Sequence, residues 1–241
     1  MSRCFDRFIK IQLIFIFFEW SRKGTDMRMR KKKHGAERIE ACSHLLIVPN
    51  EDFKADPGSA FADSKPIHLE IGCGKGNFAV GMAAAHHDVN FIAMEKIADV
   101  ACLALEKAER DKENRPDNLR FIIGDAKNLI EYFPEHCIDC IYLNFSDPWP
   151  KAGHAKRRLT YHTFLEIYKT LLKEGGMLRL KTDNEGLFDF SLEEFEAFGL
   201  ELEFVTRDLH NSEMNEGNVM TEYEKNFSDK GQPIYSAHVR F

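Results

Sequence analysis

The stretch IHLEIGCGKGNF, residues 67–78, decides the fold of this chain. Its first five residues form a largely apolar run that is typical of a buried strand, and Gly72, Gly74 and Gly76 follow at once. From Phe78 onward, Ala, Val and Met recur at helical spacing. A strand that passes through glycines into a helix is typical of the first unit of a doubly wound sheet, in which ligands bind at the carboxyl ends of the strands.

The same alternation of short apolar runs and helical periods continues to the end of the chain. The further predicted strands are Asn90–Met94, Leu119–Ile123, Ile138–Phe145, Met177–Leu180, Leu202–Thr206 and Ile234–Phe241. The predicted helices are Phe78–His86, Ile97–Arg110, Thr160–Lys173, which Gly175 and Gly176 should end, and Glu185–Phe198. We therefore expect an α/β fold with a doubly wound, mostly parallel, seven-stranded sheet and a late antiparallel strand pair.

Composition limits the class of protein. The chain has 241 residues, of which 44% are hydrophobic and 30% charged, so disorder and a coiled coil are poor descriptions. The net charge of −6 excludes a uniformly basic surface for nucleic acid. Charge is uneven, however: residues 22–40 carry eight Arg or Lys against three acids, and Lys156, Arg157 and Arg158 form a second basic cluster. A local basic patch is therefore expected.

The N-terminal part divides into two predicted segments ahead of a main domain at 66–241. Residues 1–26 include an apolar run, Ile11–Phe18, that is too short to span a membrane and is followed by no signal-type cleavage site. We interpret 1–26 as an extension or a mis-assigned start, and 27–65 as a basic N-terminal segment. Reduced, scattered cysteines fit a cytoplasmic protein. Cys137 and Cys140 have metal-like spacing but abut an apolar run, so we predict buried strand residues and no metal site.

The spacing of the glycine loop limits the class of ligand that it can bind. Its spacing is G-x-G-x-G, whereas a dinucleotide fold favours G-x-G-x-x-G, and no phosphate-binding P-loop motif occurs. Glu70 lies two residues before Gly72, where an acid would repel a pyrophosphate but suit a ligand with an ammonium and a sulfonium group. S-Adenosyl-L-methionine is such a ligand.

Acids also follow the next two predicted strands. Glu95 is placed to accept hydrogen bonds from both ribose hydroxyls, and Asp125 from an adenine amino group. Either acid alone would also serve as a helix cap. The fourth strand leads into NFSDPWPK, residues 144–151, where prolines on both sides of Trp149 make a stiff turn and Asp147 should face the cofactor's methyl group. The alternative is a purely structural turn with Trp149 in the core.

These motifs resemble those of bacterial tRNA (guanine-N7-)-methyltransferases over roughly Met27 to Phe241. The most specific strings are NFSDPWPKAGHAKRR at 144–158, KTDN at 181–184, DLHNS at 208–212 and TEYE at 221–224. The resemblance implies a Rossmann-like class I methyltransferase that uses S-adenosyl-L-methionine to methylate N7 of a guanine at position 46 in the tRNA variable loop. It also implies a cytoplasmic enzyme, a monomer or homodimer, with tRNA as its partner and no membrane.

The resemblance assigns roles residue by residue. The cofactor would be bound by Glu70, Gly72, Gly74, Gly76, Glu95, Asp125 and Asp147, and Asp147 would also be catalytic. The substrate nucleotide would be held by Lys151, Asp183, Thr221, Glu222, Tyr223 and Glu224. The RNA would contact Gly153, His154, Ala155, Lys156, Arg157 and Arg158. The chain departs from the pattern at Gly153, where many relatives have a basic residue, and that contact is in doubt.

The chemistry of the acceptor agrees with these assignments. Guanine N7 is a free lone pair, so no strong general base is required, and alignment with the methyl carbon supplies about 7–11 kcal/mol. The Watson–Crick edge of guanine offers two donors that a carboxylate can match, for which Asp183, Glu224 and Asp147 are candidates. Three other functions stay open at this point: an exocyclic-amine methyltransferase, a non-enzymatic RNA-binding module, and a nicotinamide dehydrogenase, which the glycine spacing disfavours.

Overall fold

One mixed sheet organises the residues that the computed structural model describes, which are 33–110, 116–228 and 230–241. Its strands are β1 (Leu46–Ile47), β2 (Ile67–Ile71), β3 (Asn90–Glu95), β4 (Leu119–Ile123), β5 (Ile138–Asn144), β6 (Leu172–Thr182), β7 (Glu201–Thr206) and β8 (Tyr235–Arg240). Their order across the sheet is β1-β4-β3-β2-β5-β6-β8-β7. Strands β1 to β6 pair in parallel, whereas β8 is antiparallel to both β6 and β7. The mostly parallel fold with a late antiparallel pair is thus confirmed.

Helices cover both faces of the sheet. They are α1 (Gly35–Ala41), α2 (Glu51–Ala55), α3 (Asn77–Ala85), α4 (Ala98–Arg110), α5 (Leu129–Tyr132), α6 (His162–Leu171), α7 (Glu185–Phe198) and α8 (Glu222–Ser228). One core includes Phe133 and Phe188, and the second includes Phe78 and Phe91. Residues 33–65 join these cores through Ile39 and Phe53. The expectations for residues 1–26 and 27–32 lie outside the described residues.

The structure corrects the sequence analysis at two strands. An eighth strand, β1, was missed because two residues are too short to show a period; it pairs with β4 at the sheet edge. The predicted helix Thr160–Lys173 ends earlier, at Leu171, and β6 begins at Leu172 and runs through Gly175 and Gly176. The expectation that these glycines end the helix is therefore wrong, because they lie within β6. Gly175 has a φ of +74°, and a Cβ at Gly176 would lie 2.8 Å from the Lys173 carbonyl, so they shape an irregular strand start.

The cysteine prediction is confirmed for Cys140, which is buried in β5, where burial raises the pKa of its thiol to about 11. Cys137 is half-buried and lies just before this strand. Cys140 is therefore a strand residue and Cys137 is not, because β5 begins at Ile138.

Gly76 permits the close approach of two helices beside the functional end of the sheet. It precedes α3 with a φ of +78°, and a Cβ there would lie 2.9 Å from the Ala104 Cβ and 3.2 Å from the Ala104 Cα of α4. Because the nearest atoms belong to an alanine, no flexible side chain can move aside to make room for this Cβ. Gly199, after α7, has a similar φ of +79° but open space around it.

We therefore predict that Gly76→Ala destabilises the protein more than Gly199→Ala does. Both substitutions place a side chain in the left-handed region, which costs about 1–2 kcal/mol. Gly76→Ala adds overpacking against Ala104, for which about 1–3 kcal/mol more is expected. Chemical denaturation of the two variants measures the difference, and equal losses in the free energy of unfolding would show that the helix contact is unimportant.

Candidate functional site

The glycine loop is fixed to the end of the neighbouring strand. The backbone N–H groups of Gly72 and Cys73 both donate to the Met94 carbonyl, at 2.8 and 2.9 Å. Gly72 and Gly74 have left-handed φ angles of +80° and +56°, and a Cβ at either would meet nothing within 4 Å. The loop backbone is therefore rigidly held and uncovered, which leaves room for a ligand to approach it closely.

Glu95, the last residue of β3, links the loop to the helix that follows. Its Oε2 accepts a hydrogen bond from the Gly74 N–H at 3.0 Å, and its Oε1 accepts one from the Ile97 N–H at 2.8 Å. Burial raises the pKa of Glu95, these backbone donors lower it, and the nearby Asp147 charge raises it again. The carboxylate thus binds the glycine loop and the start of the next helix, close enough to Asp147 for its charge to act.

Glu70 on β2 is a deeply buried acid, with 2% of its surface exposed. Its Oε1 accepts from Asn144 Nδ2 at 2.9 Å, while Oε2 is buried and has no hydrogen-bond partner. Burial raises the pKa of Glu70 to about 7, although the Asn144 bond and the Lys181 charge oppose this. A buried acceptor without a donor is costly, so its place suits a ligand that brings a positive charge or a donor.

Asp125, beyond β4, also has a capping role. Its Oδ1 accepts from the Lys127 N–H at 3.1 Å and begins a short 3₁₀ turn, while its Oδ2 lies 2.9 Å from Lys96 Nζ. Burial alone would raise the pKa of Asp125, but the Lys96 ammonium and the Lys127 N–H hold it below its usual range. Asp125 therefore caps this turn, as the sequence allowed as an alternative. Its carboxylate is half-buried and ionised.

The loop after β5 has an unusual backbone. Phe145 and Trp149 have positive φ angles of 53° and 42°, a conformation that costs non-glycine residues about 1–3 kcal/mol each. The Phe145 N–H donates to the Lys181 carbonyl at 2.8 Å, and Arg158 donates from Nε and Nη2 to the carbonyls of Pro148 and Trp149, at 3.0 and 3.1 Å. These bonds hold Asp147, which is exposed, between two fixed points.

A basic 3₁₀ turn, Ala152–Arg157, follows this loop. Trp149 is half-buried and outside both cores, with the Arg157 guanidinium 4.7 Å above its ring and His154 edge-on at 5.8 Å. Lys151, Lys156 and Arg157 are exposed, as is Gly153. Arg158 differs because its guanidinium is committed to the loop carbonyls and stacks 4.2 Å from the Phe190 ring.

The predicted substrate residues fall into two groups. Asp183 is half-buried just beyond β6, and Tyr223 is 48% exposed, with its ring 5.2 Å from that of Phe145. Glu222 pairs with Lys75 of the glycine loop at 3.2 Å. These side chains border the same end of the sheet as the glycine loop.

Glu224 is different, because none of its surface is exposed. Its two oxygens accept from Lys181 Nζ, His210 Nε2, Asn218 Nδ2 and the Thr221 N–H. Its acceptors are thus occupied and covered in this structure, a geometry that does not favour the predicted hydrogen bond from guanine to Glu224. The roles of Lys181 and His210 were not predicted, although both residues belong to strings that carry the family resemblance, KTDN and DLHNS.

A family model described as "Putative methyltransferase" matches residues 64–237. The tRNA (guanine-N(7)-)-methyltransferases of two strains of Limosilactobacillus reuteri are each 49% identical to this chain over 215 residues, which cover 89% of the chain and 100% of the relative. The chain belongs to the tRNA (guanine-N7)-methyltransferase family. The resemblance seen in the sequence is thereby confirmed.

Solved structures of methyltransferases show the same fold at low sequence identity. An antibiotic-related methyltransferase superimposes with a TM-score of 0.59 at 14% identity, covering 83% of this chain and 97% of the other. The 16S rRNA methyltransferase KamB gives 0.59 at 9%, covering 81% and 95%. Among the described residues of this family member, no helix has the length and apolar character needed to cross a bilayer.

Glu70 gives a pH-dependent prediction. Because its pKa is about 7 in the folded protein and near 4.5 when unfolded, the folded state binds more protons between these values. Its contribution to stability is therefore favourable at low pH and is lost as pH rises from about 4.5 to 7, on the order of 3 kcal/mol. Glu70→Gln, which keeps an acceptor for Asn144, should make the unliganded protein more stable than wild type at pH 8 but not at pH 4.5.

Denaturation of wild type and Glu70→Gln across this pH range measures the effect, with the exposed Glu135→Gln as a control. A stability difference that does not change with pH would contradict the prediction.

Proposed function

We propose that this protein transfers the methyl group of S-adenosyl-L-methionine to N7 of a guanine in tRNA, at position 46 of the variable loop. The observation that supports the proposal most strongly is the convergence of Glu70, Glu95 and Asp125 with the braced Asp147 loop, in a chain 49% identical to named tRNA (guanine-N(7)-)-methyltransferases. We place the activity in the cytoplasm, as a monomer or homodimer.

The residues present fit the cofactor. The uncovered backbone of Gly72 and Gly74 would receive it, and the unpartnered Oε2 of Glu70 would face its positively charged end. Glu95 and Asp125 are fixed by their own hydrogen bonds and would accept from the ribose hydroxyls and the adenine amino group. When bound, S-adenosyl-L-methionine supplies an electrophilic methyl group. The protein therefore has to bind and align the two reactants and to exclude water. It does not have to create a nucleophile.

Asp147 and Asp183 are the carboxylates left to orient the guanine. Asp147 is exposed in a loop held at both ends, and Asp183 is half-buried beside it at the end of β6. Each can accept from the N1–H and amino group of guanine, which leaves N7 free to attack. Since N7 carries no proton, no residue has to remove one, and the rate arises mainly from alignment.

Contacts to the RNA backbone would come from the exposed cations of the basic turn, Lys151, Lys156 and Arg157. Such contacts release counterions and give salt-dependent affinity without sequence preference. Residues 153–155 would approach the backbone without charge. Arg158 acts differently: its bonds to the carbonyls of Pro148 and Trp149 make it a positioning residue for Asp147.

The direct test is mass spectrometry of nucleosides from tRNA after incubation with the protein and methyl-labelled S-adenosyl-L-methionine. We expect label in 7-methylguanosine, absent when the guanine at position 46 is replaced. Asp147→Asn should lower kcat by at least about 100-fold, as the loss of aligned transition-state contacts does, while tRNA binding changes little. Label in an exocyclic methylamine would support the rival activity, and no transfer to any tRNA would refute the proposal.

Arg158 and Lys156 should be separable by matched substitutions. Arg158→Lys keeps the charge but loses the two-carbonyl brace, so kcat should fall while the salt dependence of tRNA binding is unchanged. Lys156→Ala should keep kcat, raise the KM for tRNA, and reduce the logarithmic salt slope by roughly 0.7–0.9. Filter binding across salt and single-turnover kinetics provide both quantities. A reduced salt slope with normal kcat for Arg158→Lys would return Arg158 to the RNA contacts.

A further inference from the structure

A buried ion pair lies beside the proposed guanine site. Lys181 and Glu224 are 7% and 0% exposed, and Lys181 Nζ is 2.8 Å from Glu224 Oε2. Lys181 Nζ also donates to Asn218 Oδ1 and the Val219 carbonyl, both at 3.1 Å. Glu224 Oε1 accepts from His210 Nε2 at 3.0 Å and Asn218 Nδ2 at 2.8 Å. We call this pair the Lys181–Glu224 latch.

The latch ties the segment 209–224 to the end of β6. Lys181 belongs to the strand, whereas all its side-chain acceptors belong to that segment. Val219 also packs against Gly81 of α3, so closely that a Cβ there would lie 2.6 Å from Val219 Cγ1. The segment is therefore fastened to a strand and to a helix of the cofactor-binding half.

The latch adjoins both the Asp147 loop and an exposed aromatic ring. The Lys181 carbonyl accepts from the Phe145 N–H at 2.8 Å, two residues before Asp147. Tyr223 immediately precedes Glu224, and its ring contacts Phe145 at 5.2 Å and Phe227 at 4.5 Å between centroids. Despite these contacts Tyr223 is 48% exposed. Nearly half of the surface of this supported aromatic residue thus remains exposed, and burial together with the nearby Asp183 charge raises the pKa of its hydroxyl.

A buried ion pair is a poor source of stability, because removing two charges from water costs nearly as much as their attraction returns. The role of the Lys181–Glu224 pair is better explained by the position that it imposes, since Glu224 has one position in which its carboxylate accepts from all four donors. A flat, supported aromatic side chain is a platform on which a nucleobase can stack. Guanine is the base that the proposed activity brings to this end of the sheet.

We propose that the Lys181–Glu224 latch is a positioning device that holds Tyr223 as the stacking platform for the target guanine, and that neither latch residue contacts the base. The proposal rests on the proposed function, because it assumes a guanine acceptor. It gives Glu224 a role in substrate binding that is compatible with its complete burial.

The test is a set of variants assayed with tRNA and S-adenosyl-L-methionine. Lys181→Met with Glu224→Gln removes both charges together, so that neither is left unpaired. We expect it to raise the KM for tRNA about tenfold, as loss of a base-stacking contact does. Tyr223→Ala should have the same effect, Tyr223→Phe should retain near-normal KM, and Tyr223→Ala added to the latch variant should cause no further loss.

Lys173→Met with Asp139→Asn, a Lys–carboxylate pair outside this site, is the matched control and should leave the KM unchanged. Hydrogen exchange should show faster exchange in residues 209–228 of the latch variant alone. If the latch variant does not fold, the comparison of Tyr223→Ala with Tyr223→Phe still tests the platform, because Tyr223 is 48% exposed and neither substitution removes a buried charge.

The latch proposal would be overturned if the latch variant and Tyr223→Ala raised the KM additively, or if either variant had a normal KM. Wild-type protein that methylates no tRNA guanine would instead refute the proposed function. The two failures are distinguished by the wild-type assay, and the hydrogen-exchange result tests the attachment of the segment independently of activity.

Discussion

The functional end of the molecule depends on two hydrogen bonds, those by which Gly72 and Cys73 donate to the Met94 carbonyl. They bind the turn after β2 to the end of β3, so that the two strands finish at the same level. Parallel pairing then brings the end of β4 alongside, with Glu95 opposite Ile123. Glycine is required because this turn needs left-handed backbone at three positions within five residues. Without it the acids of three strands would not form one site.

The electrostatic arrangement around that site is asymmetric. The acids are fixed by backbone donors or by cations at its border, whereas Glu70 has an unsatisfied oxygen in the interior. The cations beside the Asp147 loop divide into those committed to the protein and those open to solvent. Arg158 and Lys181 belong to the first group, and Lys151 and Lys156 to the second. The unfavourable backbone at Phe145 and Trp149 is tolerated because the Lys181 carbonyl binds one end of the loop and the Arg158 guanidinium binds the other.

Much of the fold was predictable because its signals are local. The strand Leu119–Ile123 and the helix Glu185–Phe198 have the predicted bounds. The strand is apolar except for Arg120, and Asn184 caps the helix. The strand β1 was not predictable, because its two residues become a strand only by pairing with β4. At the site, acids at strand ends follow from topology. The burial of Glu224 does not, because it depends on His210 and Asn218, which approach it only in the folded chain.

Glu70 has a consequence for exchange of ligands. A carboxyl with a pKa of about 7 is partly protonated at neutral pH, and a cation placed against Oε2 favours its ionised form. Within the proposed function, loading of the methyl donor therefore expels a fraction of a proton. The demethylated product has lost one positive charge, so the same carboxyl takes up a proton more readily in its presence. The donor and the product would therefore release different fractions of a proton on binding, and calorimetry in buffers of different ionisation enthalpy would count them.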